Sequence, residues 1–135
     1  MSTVRGERYQ RGWERLREVD GAGGERVIEA LRDVAPDLGR YVVEFAFGEI
    51  YRRPGLDLRQ RQLVTISALT TLGGAEPQLE VHVNAGLNVG LSAGEIVEAI
   101  LHCIPYVGFP RVLNAVFVAK RVFDERGVSA LSDEE

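Results

Sequence analysis

The 135-residue sequence contains one cysteine, Cys103, and two histidines, His82 and His102. A single cysteine excludes an internal disulfide, a Cys-x-x-Cys redox pair and a thiolate zinc cage. Two histidines exclude a three-histidine metal site, so no metal is expected. Lysine is nearly absent. Lys120 is the only one, so the positive charge is arginine, which suits bidentate binding of carboxylates but equally reflects coding bias. No stretch approaches the roughly 18 apolar residues of a membrane span. The opening MSTVRGERYQRG has no apolar run, so no signal peptide is expected. Net charge is −4, which argues against nucleic acid and anionic membrane as partners. Glycine-rich phosphate loops, the G-x-S-x-G elbow and nucleotide fingerprints are all missing. These absences describe a reduced, cytoplasmic protein.

What is present is helical. Hydrophobic residues make up 45% and charged residues 27%, ordinary for one globular domain spanning 1–135. Valine and isoleucine are plentiful, yet no strand-like alternation persists. The expected fold class is all-α, a compact bundle of about six short helices. Tyr9, Trp13 and Leu16 form a narrow apolar stripe among Arg5, Arg8, Arg11, Arg15 and Arg17, an amphipathic docking segment over residues 1–20. Gly21–Gly24 is expected to break the chain before a helix around Glu25–Val34. Pro36 opens another helix with Leu38, Tyr41, Val42, Phe45 and Ile50 inward, ending before Pro54. Asp57 and Gln60 form a capping-box pattern ahead of LRQRQLVTISALTTLGG. That helix is apolar or small almost all round from Leu63 to Leu72, which predicts a central buried helix. Pro77 begins QLEVHVNAGLNVG in a favourable first-turn position. Ser92 and Glu95 make a second capping box before a helix with Ile96, Val97, Ile100 and Ile104 inward. Pro105 interrupts it. A last helix runs from about Arg111 to Glu125, with Val112, Val116, Ala119 and Phe123 inward.

His82 is the first candidate for chemistry. It sits on the apolar side of its helix, beside Val83 and one turn before Gly86. Gly86 and Ala85 are read as leaving room there, and Asn84 and Asn88 as amides able to orient a polar ligand. An imidazole in an apolar cleft is the usual general acid or base near neutrality; a buried structural histidine bonded to a carbonyl is the alternative. His102 shares a helix face with Glu98 and Tyr106, as a tautomer-fixing pair or as a surface pair. Arg53 and Arg61 flank PGLDL and suit clamping of an anionic substrate, or a salt bridge to Glu49 or Asp57. Glu49 lies among Phe45, Phe47 and Tyr51, where burial would raise its pKa, or it simply points at water. Cys103 is read as a core thiol rather than a peroxidatic nucleophile.

Several stretches together resemble the γ-carboxymuconolactone decarboxylases: RPGLDLRQRQLVTISALTTLGG, QLEVHVNAGLNVGLSAGEIVEAILH, YVGFP and LNAVFVAKRVF, with the opening ERYQRGWERLREVDG. The resemblance implies small all-α subunits assembled as trimers or hexamers, with sites near subunit contacts. It implies an activity that uses neither cofactor nor metal. That activity removes CO2 from 4-carboxymuconolactone to give the β-ketoadipate enol-lactone, in aromatic catabolism. It places His82 on the motif histidine and Arg61 on the motif arginine. Glu49, Arg53, Tyr106 and Gly108 fall on recognisable positions. A cousin branch of alkylhydroperoxidases uses Cys-x-x-Cys followed by histidine. Here the matching stretch is EPQLEVH, so that peroxidase chemistry is not available. Two positions depart from the pattern: Pro105, and Gln62 near where the peroxidase branch has a glutamate proton relay.

On this reading the catalytic residues are His82, Glu49 and Arg61. His82 donates a hydrogen bond or proton to a dienolate, Arg61 or Arg53 holds a substrate carboxylate, and Glu49 orients His82. Asn88, Tyr106, Gly108 and His102 complete the substrate-binding set. The partners expected are a small carboxylate or lactone and further copies of the chain. Two other readings stay open. One is another reaction, an isomerisation or dehydration, on a small organic acid. The other is an oligomeric binding protein without catalysis.

Overall fold

A computed structural model of the chain describes residues 6–131; Arg5 of the arginine-rich segment lies outside them. Every regular element among the described residues is helical. The helices are α1 (Glu7–Asp20), α2 (Ala22–Leu31), α3 (Pro36–Tyr41), α4 (Leu58–Leu72), α5 (Glu76–Asn88), α6 (Ala93–Leu101), α7 (Ile104–Val107) and α8 (Phe109–Arg126). Between α3 and the loop before α4 the chain continues without a break as a π-helix, Val42–Ile50. The chain divides into two units, one reaching to Leu58 and one starting at Arg59.

In the first unit α1 lies against the π-helix at two glycines. A Cβ on Gly12 would run into the carbonyl oxygen of Val43, and one on Gly48 would meet the carbonyl oxygen of Arg8 at 3.0 Å. Backbones this close exclude any side chain. Leu16, Val19, Ile28, Val43 and Phe47 are buried. The π-helix overturns the expected inward face. Leu38, Tyr41, Phe45 and Ile50 are exposed, and Val43, Phe47 and Gly48 are buried instead. For Phe45 and Ile50 the reason is the wider turn: Tyr51 N–H bonds the Ala46 carbonyl five residues back, at 2.8 Å, so a 3.6-residue period misplaces the buried stripe there.

Gly21–Gly24 is likewise not a four-residue break. Only Gly21 leaves helical geometry, at φ 59°, and α2 starts at Ala22 and ends at Leu31. Gly24 sits inside α2 because a Cβ there would come within 2.7 Å of Asp20 Cβ and 2.8 Å of Leu16 Cδ1. Its missing side chain lets α2 pack on the end of α1.

The second unit holds the larger core, built from Ile66 of α4, Leu79 and Val83 of α5, Ile96 and Ile100 of α6, and Val112, Val118, Val122 and Phe123 of α8. Truncating a fully buried aliphatic such as Ile66 typically costs about 2–5 kcal/mol. The start of α6 follows its sequence signal. Ser92 Oγ accepts from the Glu95 N–H at 3.0 Å, and the Glu95 carboxylate accepts from the Ser92 N–H at 2.9 Å, a complete capping box. Arg59 adds two 3.0 Å bonds to the same carboxylate, tying the start of α4 to α6. Helix α6 stops at Leu101, earlier than Pro105 requires, and Pro105 opens the single turn α7. Gly127, at φ 67°, ends α8.

Helix α4 is not buried all round. Gln62, Ile66 and Thr70 make one buried stripe, while Val64 and Leu72 are exposed. Its uniform apolarity therefore covers two different environments, a core face and an apolar surface. No helix among the described residues is long and apolar enough to cross a membrane.

Candidate active site

The second unit brings His82 of α5 onto Gln62 of α4. Spacing explains why these two meet. Gln62, Ile66 and Thr70 recur every four residues on the inward stripe of α4, and His82 is next to the fully buried Val83 on α5. Gln62 is 0% exposed, and its Oε1 lies 3.1 Å from His82 Nδ1. A buried amide needs partners, and the imidazole is one of them. His82 itself is partly buried. Desolvation pushes its pKa down from 6.5 to about 4, so the ring is neutral at pH 7.

The apolar backing of this ring differs from the open hollow expected at Gly86. A Cβ on Gly86 would meet Leu91 Cδ1 at 3.2 Å, Ile96 Cδ1 at 3.3 Å and Ile66 Cδ1 at 3.4 Å. The space that glycine frees is filled by core side chains of α4, α6 and the intervening loop. Gly86 admits packing, not ligand.

The amides of α5 are also otherwise engaged. Arg126 of α8 donates through Nη1 to the Asn84 carbonyl oxygen at 3.0 Å, to Asn84 Oδ1 at 3.3 Å and to Asn88 Oδ1 at 2.9 Å. Asn88 Oδ1 therefore ties the end of α5 to α8. The cation also neutralises the negative end of α5.

Arg61, the neighbour of Gln62 on α4, is partly buried, and its carbonyl oxygen accepts the Thr65 hydroxyl at 2.9 Å. Glu49 does not lie in an aromatic pocket; it is half-exposed and paired with Arg8 at 2.7 Å. Its neighbours Phe47 and Tyr51 stack on each other, with ring centroids 4.7 Å apart. Arg53 is exposed, and its N–H bonds the Ile50 carbonyl at 3.2 Å. Glu49 and Arg53 belong to the first unit, His82, Gln62 and Arg61 to the second.

His102 and Tyr106 form a tilted ring pair, centroids 5.9 Å apart. His102 also lines an open cleft of about 1080 Å³ together with Glu98, Ser92 and Leu101. Gly108 has φ 81° at the junction of α7 and α8, a backbone role that only glycine fills without strain. Cys103 is buried, its thiol directed at the Ala99 carbonyl at 3.5 Å. No group of three or more His, Cys, Asp or Glu side chains among the described residues is placed to hold a metal ion.

Gln62 is the residue that sequence reasoning left without a role at the site. Its signal was present: a long polar side chain heading the stripe that continues with Ile66 and Thr70 at four-residue spacing.

Comparison with known proteins is consistent with this helical scaffold. A sequence profile of the carboxymuconolactone decarboxylase family matches residues 36–121. The chain belongs to that family. It is 39% identical over 124 residues, 91% of this chain and 92% of the relative, to a 4-carboxymuconolactone decarboxylase of Acinetobacter baylyi. It is 33% identical over 111 residues, 78% of this chain and 76% of the relative, to the nitrosuccinic acid decarboxylase npaB of Metarhizium robertsii. An uncharacterised 15.0 kDa protein of Paracoccus denitrificans is 33% identical over 117 residues, 86% of this chain and 87% of the relative. Two decarboxylases with different acids on one family scaffold put the shared chemistry in loss of CO2 and the difference in substrate.

Proposed function

We propose that this family member is a carboxy-lyase that removes CO2 from a lactone carboxylic acid of the 4-carboxymuconolactone type, with His82 as its catalytic residue. Decarboxylation of a small organic acid is the activity its named relatives share. The observation that carries the role of His82 is its environment: a neutral, desolvated imidazole bonded to a fully buried amide. Loss of CO2 leaves an electron pair that spreads through the ring alkene to the lactone carbonyl. The enzyme must stabilise that dienolate and deliver one proton to carbon. Arg61, adjacent to Gln62 on α4, is the cation proposed to hold a substrate carboxylate. Glu49 is half-exposed and pairs with Arg8.

The test is direct. Purified protein is incubated with 4-carboxymuconolactone and, in parallel, nitrosuccinate, with CO2 release and product NMR as readouts. The lactone should be consumed, and His82→Ala should lose at least 100-fold in kcat while keeping its helical circular dichroism. Undiminished turnover by that variant would remove His82 from the chemistry. Turnover of nitrosuccinate alone would favour the second reading, a nitro-acid decarboxylase, for which the npaB relative is the support.

We propose further that the protein works as a homo-oligomer. Val64 and Leu72 on α4, and Phe109, Leu113 and Phe117 at four-residue spacing along α8, are all exposed. The three α8 residues recur along one face of that helix, and an exposed apolar face is what a subunit contact would cover. Sedimentation analysis should show a trimer or hexamer; a monomer at micromolar concentration would refute it.

A further inference from the structure

The geometry points to Gln62 as the positioning residue that decides which nitrogen of His82 exchanges the reaction proton. This rests on the reading that His82 is the reacting imidazole. The oxygen of a side-chain amide has lone pairs and no hydrogen. Facing Nδ1 at 3.1 Å, Gln62 Oε1 accepts the Nδ1–H. The bond of one ring nitrogen sets the state of the other, so Nε2 carries the lone pair. Gln62 is 0% exposed and Ile66, one turn on, is also 0% exposed, so water does not compete for that acceptor.

An amide and a carboxylate would both fix this tautomer, with opposite effects on charge. A carboxylate at position 62 would give the imidazole a counter-ion and raise its proton affinity. The neutral amide orients the ring and leaves desolvation in control, which holds the pKa near 4. Burial is the cause of that lowering. The result is a weak base whose conjugate acid is strong.

That combination fits the proton balance of decarboxylation. A carboxylate plus one proton becomes CO2 plus a C–H bond. The proton taken up with the substrate anion lands on Nε2, the only open lone pair of the ring. The bond to the carboxyl carbon then breaks, its electron pair enters the conjugated lactone as a dienolate, and CO2 leaves. The Nε2–H bond breaks as a C–H bond forms at the carbon next to the lactone carbonyl. The ring returns to neutral Nδ1–H, and Nδ1 keeps its proton and its bond to Gln62 throughout.

The test is nitrogen-15 NMR of the histidine rings, which needs no substrate. The sequence has two histidines, so His102→Gln leaves His82 as the one remaining signal. At pH 7 the wild-type ring should show a protonated Nδ1 and a bare Nε2. Gln62→Leu should shift it toward the Nε2–H form. Gln62→Glu should keep Nδ1–H and raise the proton affinity of His82 at least tenfold, with the acid limb of kcat/KM moving by the same amount. A wild-type ring protonated on Nε2, or an unchanged tautomer in folded Gln62→Leu, would overturn the inference. If Gln62→Leu does not fold, Gln62→Glu decides: an unmoved titration midpoint overturns it. The NMR pattern without any CO2 release from the lactone would support the tautomer and sink the decarboxylase reading separately.

Discussion

Replacing Asp20 by asparagine should stabilise the protein by an amount that depends on pH. Asp20 is the last residue of α1, 9% exposed, and its Oδ1 is buried with no hydrogen-bond partner. Its side chain is packed where Gly24 of α2 approaches. Burial raises its pKa from 3.8 to about 7. The folded value lies above the unfolded one, so across that window the folded protein holds a proton that the unfolded chain has released. Stability therefore falls as pH rises from 3.8 to 7, by about 1.4 kcal/mol per pH unit, and levels off above. The full displacement corresponds to on the order of 4 kcal/mol against the fold at pH 8. Asparagine keeps the shape and cannot ionise. In urea titrations followed by circular dichroism, the advantage of Asp20→Asn should be small near pH 4. It should grow by roughly 2–3 kcal/mol between pH 5 and pH 8. A difference between the two proteins that stays flat with pH would refute the reasoning, because it would mean the carboxylate finds solvation in the folded state.

Three other expectations follow from the same geometry. Gly12→Ala places a methyl group against the Val43 carbonyl and should cost on the order of 3 kcal/mol or abolish folding, measured by denaturant midpoint. Ser92→Ala removes one half of the α6 capping box and should cost about 1 kcal/mol, read from the same titration. His82, lowered by burial from 6.5 to about 4, makes stability fall as pH drops through that window. The unfolded chain gains a proton there that the folded one refuses, worth roughly 3 kcal/mol in all; His82→Gln should flatten this acid slope.

Periodicity made part of this structure legible. In α6 and α8 the ordinary 3.6-residue turn holds, and Ile96, Ile100, Val112, Ala119 and Phe123 are buried where their spacing places them. The Ser92–Glu95 box forms because its two side chains need only each other's backbone N–H. The π-helix was not legible, since nothing in VVEFAFGEI announces a wider turn. The glycines of α2 misled for a related reason. In sequence Gly24 reads as a breaker; in the fold it is a contact point between helices. On α4, apolarity alone could not separate Ile66, which faces the core, from Val64 and Leu72, which face outward. His82 was legible as a residue apart, but the side chain orienting it was sought in Glu49, which pairs with Arg8.

Gly86 and Gln62 show how one imidazole can be tuned by two unlike means. The glycine lets Leu91, Ile96 and Ile66 close in on α5 one turn beyond His82, and such dry packing disfavours the charged ring. Through that desolvation the glycine should affect how strongly His82 holds a proton. The amide of Gln62 adds no charge and controls which nitrogen holds it. Substitutions at the two positions should therefore separate. Gly86→Ala must displace Leu91, Ile96 or Ile66 by a few tenths of an ångström. It should cost stability and loosen the desolvation, while the Nδ1–H signal of His82 stays in place. Gln62→Leu should move that signal while the apolar packing around Gly86 remains. If both substitutions changed the tautomer alike, the ring would be held by the general shape of the core, and the hydrogen bond to Gln62 would be a consequence of packing rather than its control.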